Sequence, residues 1–210
     1  MLLKCIMREA DLDFQGVSKA IWHDKGKGLR EKEAIWLINL CCDLRPDIVL
    51  DIGTGWGVTG RIFSLTANKV YSIDKGACGY ARKAITDYGR LDKVEFIQSP
   101  SIDTLLPISF HSADLAFIDA GHPTLYVIAD FMKYSRFIKD GGIICFHDCD
   151  RKDVVEALAL IEKQNPKLHE GYALRQFHAV DITRAFYWEK ENPFKAVDIN
   201  RVDPTKASAQ

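Results

Sequence analysis

Three glycines alternate with other residues directly after an apolar run, at Gly53, Gly55 and Gly57. Glycine permits positive φ angles and lets the backbone approach a ligand closely, so this spacing predicts a loop that binds a cofactor. Asp74 ends the next apolar run, about 20 residues further on, where a carboxylate can accept hydrogen bonds from the hydroxyls of a ribose. The residues therefore predict a site for a nucleoside-containing cofactor.

A second group combines carboxylates and imidazoles. Asp119 and His122 follow one later apolar run, and His147 and Asp148 follow another. A carboxylate at the end of an apolar strand needs a partner, which a ligand, a metal ion or a helix N-terminus can supply. Either histidine can act as a general base, because an imidazole titrates near neutral pH. Each also has a structural explanation, His122 near a helix start and His147 bonded to a neighbouring carbonyl.

The elements that must position these residues alternate between strands and helices. Such alternation predicts an α/β domain with a parallel sheet and helices on both faces, in which both groups reach the same carboxyl edge. The predicted strands are Ile48–Ile52, Val70–Ile73, Val94–Ile97, Leu115–Ile118 and Ile143–Phe146. The predicted helices are Leu29–Leu44, Val58–Ala67, Ala77–Tyr88, Pro123–Ile138 and Arg151–Lys163. Two further strands, Tyr172–Val180 and Thr183–Glu189, form an antiparallel hairpin.

Length and composition predict one soluble domain. The chain has 210 residues, 47% of them apolar, and a net charge of −1, which gives no electrostatic reason to expect nucleic acid or an anionic membrane as partner. No apolar run is long enough to span a bilayer, so we expect a cytoplasmic protein. The expected domain covers residues 1–190, with a helical or lid region at 1–44. A glycine-rich, basic segment, 22–30, is the candidate lid, and 191–210 form a polar tail.

The six cysteines are expected to be buried free thiols. None of the six forms a C-x-x-C pair, which excludes the common zinc-ribbon and thioredoxin-type motifs. Cys145, His147 and Cys149 alternate and would share one face of a strand, so zinc ligation stays open as a minor alternative.

The segment Val49–Gly57 resembles the first motif of class I S-adenosylmethionine-dependent methyltransferases, an apolar pair followed by D-x-G-x-G-x-G. The resemblance implies a single doubly wound, Rossmann-like domain with a seven-stranded mixed sheet in the order 3-2-1-4-5-7-6. It also implies cofactor contacts for Asp74 at the ribose, for Ser99 and Ser101 at the adenine, and for Asp119. The methionine part of the cofactor would lie against Asp51, Gly53, Thr54, Gly55 and Gly57.

The two acidic groups resemble the small-molecule and sugar O-methyltransferase branch, which has F-I-D-x-x-H followed by G-G-x-x-x-x-H-D. This likeness implies O-methylation of a small hydroxylated metabolite or sugar, with His147, Asp119 and His122 as catalytic residues. It further implies Mg²⁺ or another divalent ion held by Asp119 and Asp148, with His147 as a weaker third ligand. The expected partner is a small-molecule acceptor, and a homodimer is left open.

Two other functions remain open from the sequence. An NAD(P)-dependent oxidoreductase would use the same sheet edge, but its G-x-G-x-x-G fingerprint would need glycine at Val58. A non-catalytic nucleoside-binding subunit would keep the glycine loop and lack an acceptor site.

Overall fold

The computed structural model describes residues 28–168 and 172–190. Of the candidate lid, only residues 28–30 fall within this part. The polar tail predicted at 191–210 lies outside it.

The described residues alternate between helices and strands up to a closing hairpin. The helices are α1 (Glu31–Leu44), α2 (Val58–Thr66), α3 (Gly79–Tyr88), α4 (Thr124–Tyr134) and α5 (Lys152–Leu168). The strands are β1 (Ile48–Ile52), β2 (Lys69–Asp74), β3 (Val94–Gln98), β4 (Ala113–Ile118), β5 (Ile138–Phe146), β6 (Tyr172–Val180) and β7 (Thr183–Lys190). Short 3-10 turns occupy Leu91–Lys93, Ser101–Asp103 and Ser135–Phe137.

The strands form one mixed sheet in the order β3-β2-β1-β4-β5-β7-β6. The first five strands are parallel, and β7 pairs antiparallel with both β5 and β6. This confirms the predicted fold class and strand order. The chain reverses its direction of travel across the sheet between β1 and β4, and ligands of such folds bind in the crevice beside that point, at the carboxyl ends of the strands.

Both faces of the sheet are covered, as the nearly continuous apolar strands predict. Successive side chains of β1 lie on opposite faces of the sheet. Leu50 and Ile52 pack with α4 and α5, whereas Val49 packs with α1 and α2. All three are fully buried. The sheet is therefore fixed from both sides, and the ends of its strands are held rigidly at the edge where the polar residues emerge.

The main boundary difference lies before β5. The predicted helix 123–138 ends at Tyr134, and β5 begins at Ile138 instead of Ile143. The register with β4 shifts between Ala113 and Leu115, and Gly141 adopts φ 76°. A side chain on Gly142 would collide with the side chain of Ile138. The glycine pair thus lets an irregular segment join the strand, which a search for continuous apolar runs does not detect.

No helix in residues 28–168 and 172–190 is long and apolar enough to cross a membrane.

Candidate active site

The glycine loop between β1 and α2 has the backbone conformation that its residue types predict. Gly53, Gly55 and Gly57 have φ angles of 101°, 48° and 81°. A side chain on Gly53 would collide with the backbone carbonyl of Asp119, and one on Gly57 would lie 2.7 Å from the Cα of Ala81. The loop therefore packs closely against the end of β4 on one side and against α3 on the other.

Asp51, in β1, stabilises the base of this loop through hydrogen bonds. Its carboxylate accepts hydrogen bonds from Thr59 Oγ1 at 2.7 Å and from Ser72 Oγ at 2.8 Å, and the side chain is fully buried. Burial raises the pKa of Asp51 to about 6, against the effect of these two hydrogen bonds. Thr54 bonds to the same Ser72 hydroxyl at 2.6 Å. Asp51 thus lies beneath the loop and outside the lining of the adjoining cleft.

Asp74 lies at the centre of the cleft. Its carboxylate accepts hydrogen bonds from the backbone N–H groups of Gly55 and Gly76, at 2.9 and 2.7 Å. It lines two adjoining cavities of about 400 and 380 Å³, which also share Gly53 and Ala120. Since each carboxylate oxygen can accept more than one hydrogen bond, Asp74 can also bind hydroxyl groups in the cleft.

The second cavity has the less polar wall, formed in part by Pro100, Ile102 and Tyr126. Ser101 also lines it, and the Ser101 carbonyl accepts hydrogen bonds from Lys133 Nζ at 2.9 Å and Tyr134 Oη at 2.7 Å. A flat aromatic base suits such a wall. Ser99 does not line either cavity, and its hydroxyl lies 3.2 Å from the carbonyl of Pro100.

The first cavity ends on a cluster of two acids and a histidine. Asp119, His122 and Asp148 are partly buried, and one ligand atom from each lies within 4.8 Å of the others. His122 Nε2 lies 2.6 Å from Asp148 Oδ2 and 3.8 Å from Asp119 Oδ1. This buried nitrogen makes no aligned hydrogen bond despite the short distances. Two carboxylates and an imidazole that converge in this way fit a divalent cation.

The charges within the cluster support one another. Burial raises the pKa of Asp119, but the neighbouring His122 and His147 imidazoles outweigh this effect, so the net shift of the pKa is downward. The nearby Asp119 raises the pKa of His122, and the charge of Asp148 adds to this effect. Asp148 adopts φ 55°, in the left-handed region that few residues other than glycine occupy. A strained backbone at an acid that faces a cleft is typical of functional sites.

His147 has a different environment from the one the sequence predicts. Its Nε2 lies 3.4 Å from Glu33 Oε2, and its Nδ1 lies 3.3 Å from Asp119 Oδ1 and 3.5 Å from Asp148 Oδ1. Burial lowers the pKa of His147, but Asp119 and Glu33 raise it to about 10. A charged imidazolium at neutral pH is not a general base. In this geometry His122, rather than His147, completes the cluster that could hold a metal ion.

The alternative zinc set is not assembled among the described residues. Cys145 is fully buried, and Cys149 Sγ donates to the carbonyl of Phe146 at 3.2 Å. The group of potential metal ligands within residues 28–168 and 172–190 contains neither cysteine. Both thiols are buried, as the sequence favours.

Sequence reasoning missed Glu33, whereas Gly28 and Leu29, which line the first cavity, belong to the segment 22–30 expected as a lid. A glutamate in the first turn of a helix ordinarily faces solvent, where it interacts favourably with the helix dipole. The spacing between Arg30 and Glu33 indicates a helix start, and Glu33 indeed accepts the backbone N–H of Arg30 at 3.0 Å. Nothing in the local sequence indicates the remote partners of Glu33.

Comparison with known proteins supplies the family. The model of the methyltransferase domain family matches residues 50–149, which include the glycine loop, Asp74 and the whole acidic cluster. Residues 50–149 therefore form a methyltransferase domain of the class I S-adenosylmethionine-dependent type. Its cofactor is accordingly S-adenosylmethionine. A comparison of this methyltransferase with curated proteins found no significant sequence match.

Solved structures show the same fold. Cofactor-bound Rv0187 from MTB is 21% identical, with a TM-score of 0.63 over 85% of this chain and 88% of that one. An O-methyltransferase from Bacillus cereus, in complex with SAH, is 13% identical, with a TM-score of 0.63 over 82% and 90%. A tRNA methyltransferase from Aquifex aeolicus is 17% identical, with a TM-score of 0.59 over 80% and 72%. Because these proteins carry different names on one fold, the likeness alone does not identify the acceptor.

The family match sets aside the oxidoreductase alternative. The sequence of the loop agrees, since Val58 stands where a dinucleotide fingerprint needs its third glycine.

Proposed function

We propose that this methyltransferase transfers the methyl group to an oxygen atom of a small hydroxylated metabolite or sugar, with the help of a divalent cation. The observation that carries the proposal is the cluster of Asp119, His122 and Asp148, which opens onto the same cavity as the glycine loop. The likeness to the O-methyltransferase from Bacillus cereus supports an oxygen acceptor.

The cofactor would extend through both cavities. Gly53 and Gly55 allow close approach of its methionine part, and Asp74 at the centre accepts hydrogen bonds from its ribose. The wall around Ser101 would hold the adenine. Asp51 would act indirectly, by fixing the loop through Thr59 and Ser72. When bound, S-adenosylmethionine supplies an electrophilic methyl group on a sulfonium sulfur.

The acceptor would lie at the acidic end of the first cavity. Asp119 and Asp148 carry negative charge there and, with His122, would hold the cation. When bound, the cation supplies a positive charge that lowers the pKa of a hydroxyl group. The acceptor hydroxyl then gives up its proton and forms a new C–O bond while the C–S bond breaks. Positioning supplies much of the rate enhancement, because the two reacting atoms must lie in line.

Cation binding and base catalysis by His122 exclude each other in this arrangement. Both use the lone pair of Nε2, which lies 2.6 Å from Asp148 Oδ2. His147 lies between Glu33 and Asp119 and keeps its proton at neutral pH, since its pKa is raised to about 10. Proton release to water next to the cation therefore fits better than transfer to either histidine. The cytoplasm as location and a homodimer as assembly remain proposals from the sequence.

The test is an assay of S-adenosylhomocysteine release with a panel of catechols, other phenols and sugars. We expect turnover with Mg²⁺ or Mn²⁺ and a loss of about 100-fold or more when a chelator is added. Asp148→Asn should show the same loss while it binds S-adenosylhomocysteine with wild-type affinity. Asp153→Asn is the matched control, because Asp153 lies exposed in the first turn of α5 nearby.

Two results would contradict the proposal. Turnover that is unchanged by chelator and by Asp148→Asn would remove the cation from the mechanism. Tight S-adenosylhomocysteine binding without turnover of any hydroxylated acceptor would favour another acceptor class or a non-catalytic role.

A further inference from the structure

The side chain of Glu33 is a buried carboxylate close to the acidic cluster. It lies in the first turn of α1 and is 1% exposed. A charged carboxylate is rarely buried this completely unless it is bonded on several sides, because desolvation costs several kcal/mol. Its surroundings therefore indicate what the carboxylate holds in place.

Glu33 connects three separate parts of the chain. Oε1 accepts hydrogen bonds from Thr183 Oγ1, at the start of β7, at 2.7 Å and from Ile182 N, in the preceding turn, at 3.2 Å. Oε2 accepts the backbone N–H of Arg30 at 3.0 Å and lies 3.4 Å from His147 Nε2. The first two contacts fix the carboxylate on the hairpin, and the last directs it at His147.

His147 lies between Glu33 and the acidic cluster. Its ring has one nitrogen towards Glu33 and the other towards Asp119 and Asp148, at 3.3 and 3.5 Å, which are ion-pair distances without an aligned hydrogen bond from Nδ1. The backbone N–H of His147 donates to the carbonyl of Ile118, so the end of β5 is held beside the end of β4. With the backbone fixed, the contact between Nε2 and Glu33 restrains the rotation of the ring from the side opposite the cluster.

We propose that Glu33 is a positioning residue of the active site, which orients the His147 ring so that Nδ1 fixes the carboxylates of Asp119 and Asp148 for cation binding. This inference rests on the proposed function. Histidine and carboxylate residues behind metal ligands commonly set ligand orientation, and their removal lowers metal affinity by about 10 to 100-fold. Glu33 stands one step further out and acts through the imidazole.

The experiment measures Mn²⁺ affinity by electron paramagnetic resonance and S-adenosylhomocysteine affinity by calorimetry. Glu33→Gln keeps the shape and the acceptor for Thr183 but loses the charge that faces His147. We expect its Mn²⁺ affinity to fall about tenfold or more, with S-adenosylhomocysteine affinity changed less than about twofold. In the metal-free protein, the ¹⁵N NMR signal of His147 Nε2 should shift in the same variant.

Two control variants separate positioning from general stability. Glu31→Gln removes an exposed charge from the same helix turn. Leu37→Ala removes a fully buried side chain one turn further along α1 and lowers the melting temperature without touching His147. Both should keep the Mn²⁺ affinity of the wild type.

A double-mutant cycle tests the route. His147→Gln removes the ring through which Glu33 acts, so Glu33→Gln combined with it should cost no more Mn²⁺ affinity than His147→Gln alone. Additive losses, or wild-type Mn²⁺ affinity in Glu33→Gln, would overturn the positioning role. A wild-type protein that binds S-adenosylhomocysteine but no Mn²⁺ would overturn it too. Failure of the wild type to bind S-adenosylhomocysteine would count instead against the proposed function.

Discussion

The two ends of the cleft are built in different ways. The cofactor end is made largely of backbone from the glycine loop and the end of β2: Gly53 N and Thr54 N donate to the carbonyl of Ile73, and Gly55 N donates to the Asp74 carboxylate. The acidic end is made of side chains from remote segments, such as Glu33 and His147, 114 residues apart. A backbone site depends on steric freedom, whereas a side-chain site depends on charge and orientation.

The two ends should therefore respond to different perturbations. Steric changes in the glycine loop should abolish cofactor binding, and changes of charge or pH should act on the acidic end. Gly53 is where the ends meet, because it packs on the backbone of Asp119.

The largest effect is expected from Gly53→Ala. The new methyl group would collide with the Asp119 carbonyl, and φ of 101° is unfavourable for alanine. We expect a loss of at least about 2 kcal/mol of folding stability and of more than about 100-fold in S-adenosylhomocysteine affinity. Circular dichroism and calorimetry measure the two. Gly79→Ala is the control, since an added methyl group there meets nothing within 4 Å. Wild-type binding by Gly53→Ala would show that the loop is not sterically restricted.

The next effect is a pH dependence that belongs to the acidic end. The pKa of His147 is raised to about 10 in the folded protein, above the value of about 6.5 expected when unfolded. The folded state therefore binds more protons between these values, and stability must fall as pH rises through that window. The expected slope is up to about 1 kcal/mol per pH unit.

His147→Gln should remove this slope. Melting temperatures of both proteins between pH 6 and 10, with chelator present, provide the measurement. His111→Gln, a substitution at the other end of β4, should keep the slope of the wild type. Parallel pH profiles for wild type and His147→Gln would show that the imidazole is not held charged between Glu33 and Asp119.

A charge change at the cofactor end sharpens the comparison. Asp74→Asn loses one acceptor oxygen and the negative charge, so we expect S-adenosylhomocysteine affinity to fall by about 10 to 100-fold, as for a charged hydrogen bond. Mn²⁺ affinity should not change. Asp87→Asn, on the exposed side of α3 where Asp87 pairs with Lys83, is the control. An equal fall in Mn²⁺ affinity would mean that the two ends are coupled electrostatically.

The same difference explains what could be predicted from the sequence. The strands, the hairpin and the glycine loop depend on local patterns, and the sheet order implied by the family is confirmed. The predicted start of β5 was wrong, since Gly141 and Gly142 admit an irregular segment that breaks the apolar pattern.

The acidic end shows where local patterns stop being sufficient. Asp119, His122 and Asp148 were expected at one sheet edge, because parallel strands end there. The choice between His122 and His147 depends on ring orientation, which Glu33 influences from another element. No spacing rule places a residue of the first helix beside the end of the fifth strand, so this contact needed the tertiary structure.

The smallest expected effect tests whether the wall of the second cavity around Ser101, the proposed adenine site, also depends on remote side chains. Lys133 Nζ donates to the carbonyls of Ser101 and Ile102 at 2.9 and 2.8 Å, and so holds the 3-10 turn against α4. Lys133→Met keeps most of the side-chain volume but loses both hydrogen bonds. We expect a three- to tenfold loss of S-adenosylhomocysteine affinity, or about 1 kcal/mol, measured by calorimetry. Lys83→Met, at an exposed position of α3, controls for the loss of charge.

The outcome shows whether the turn at Ser101 is held by its own backbone or by side chains of α4. Tyr134 Oη also donates to the Ser101 carbonyl, so Lys133→Met leaves one of its two donors in place. S-adenosylhomocysteine affinity could fall in Lys133→Met and fall further when Tyr134→Phe is added. The wall around Ser101 is then held by side chains, like the acidic end. If neither variant loses affinity, the conformation of the turn is intrinsic, and the whole cofactor end is specified by local sequence.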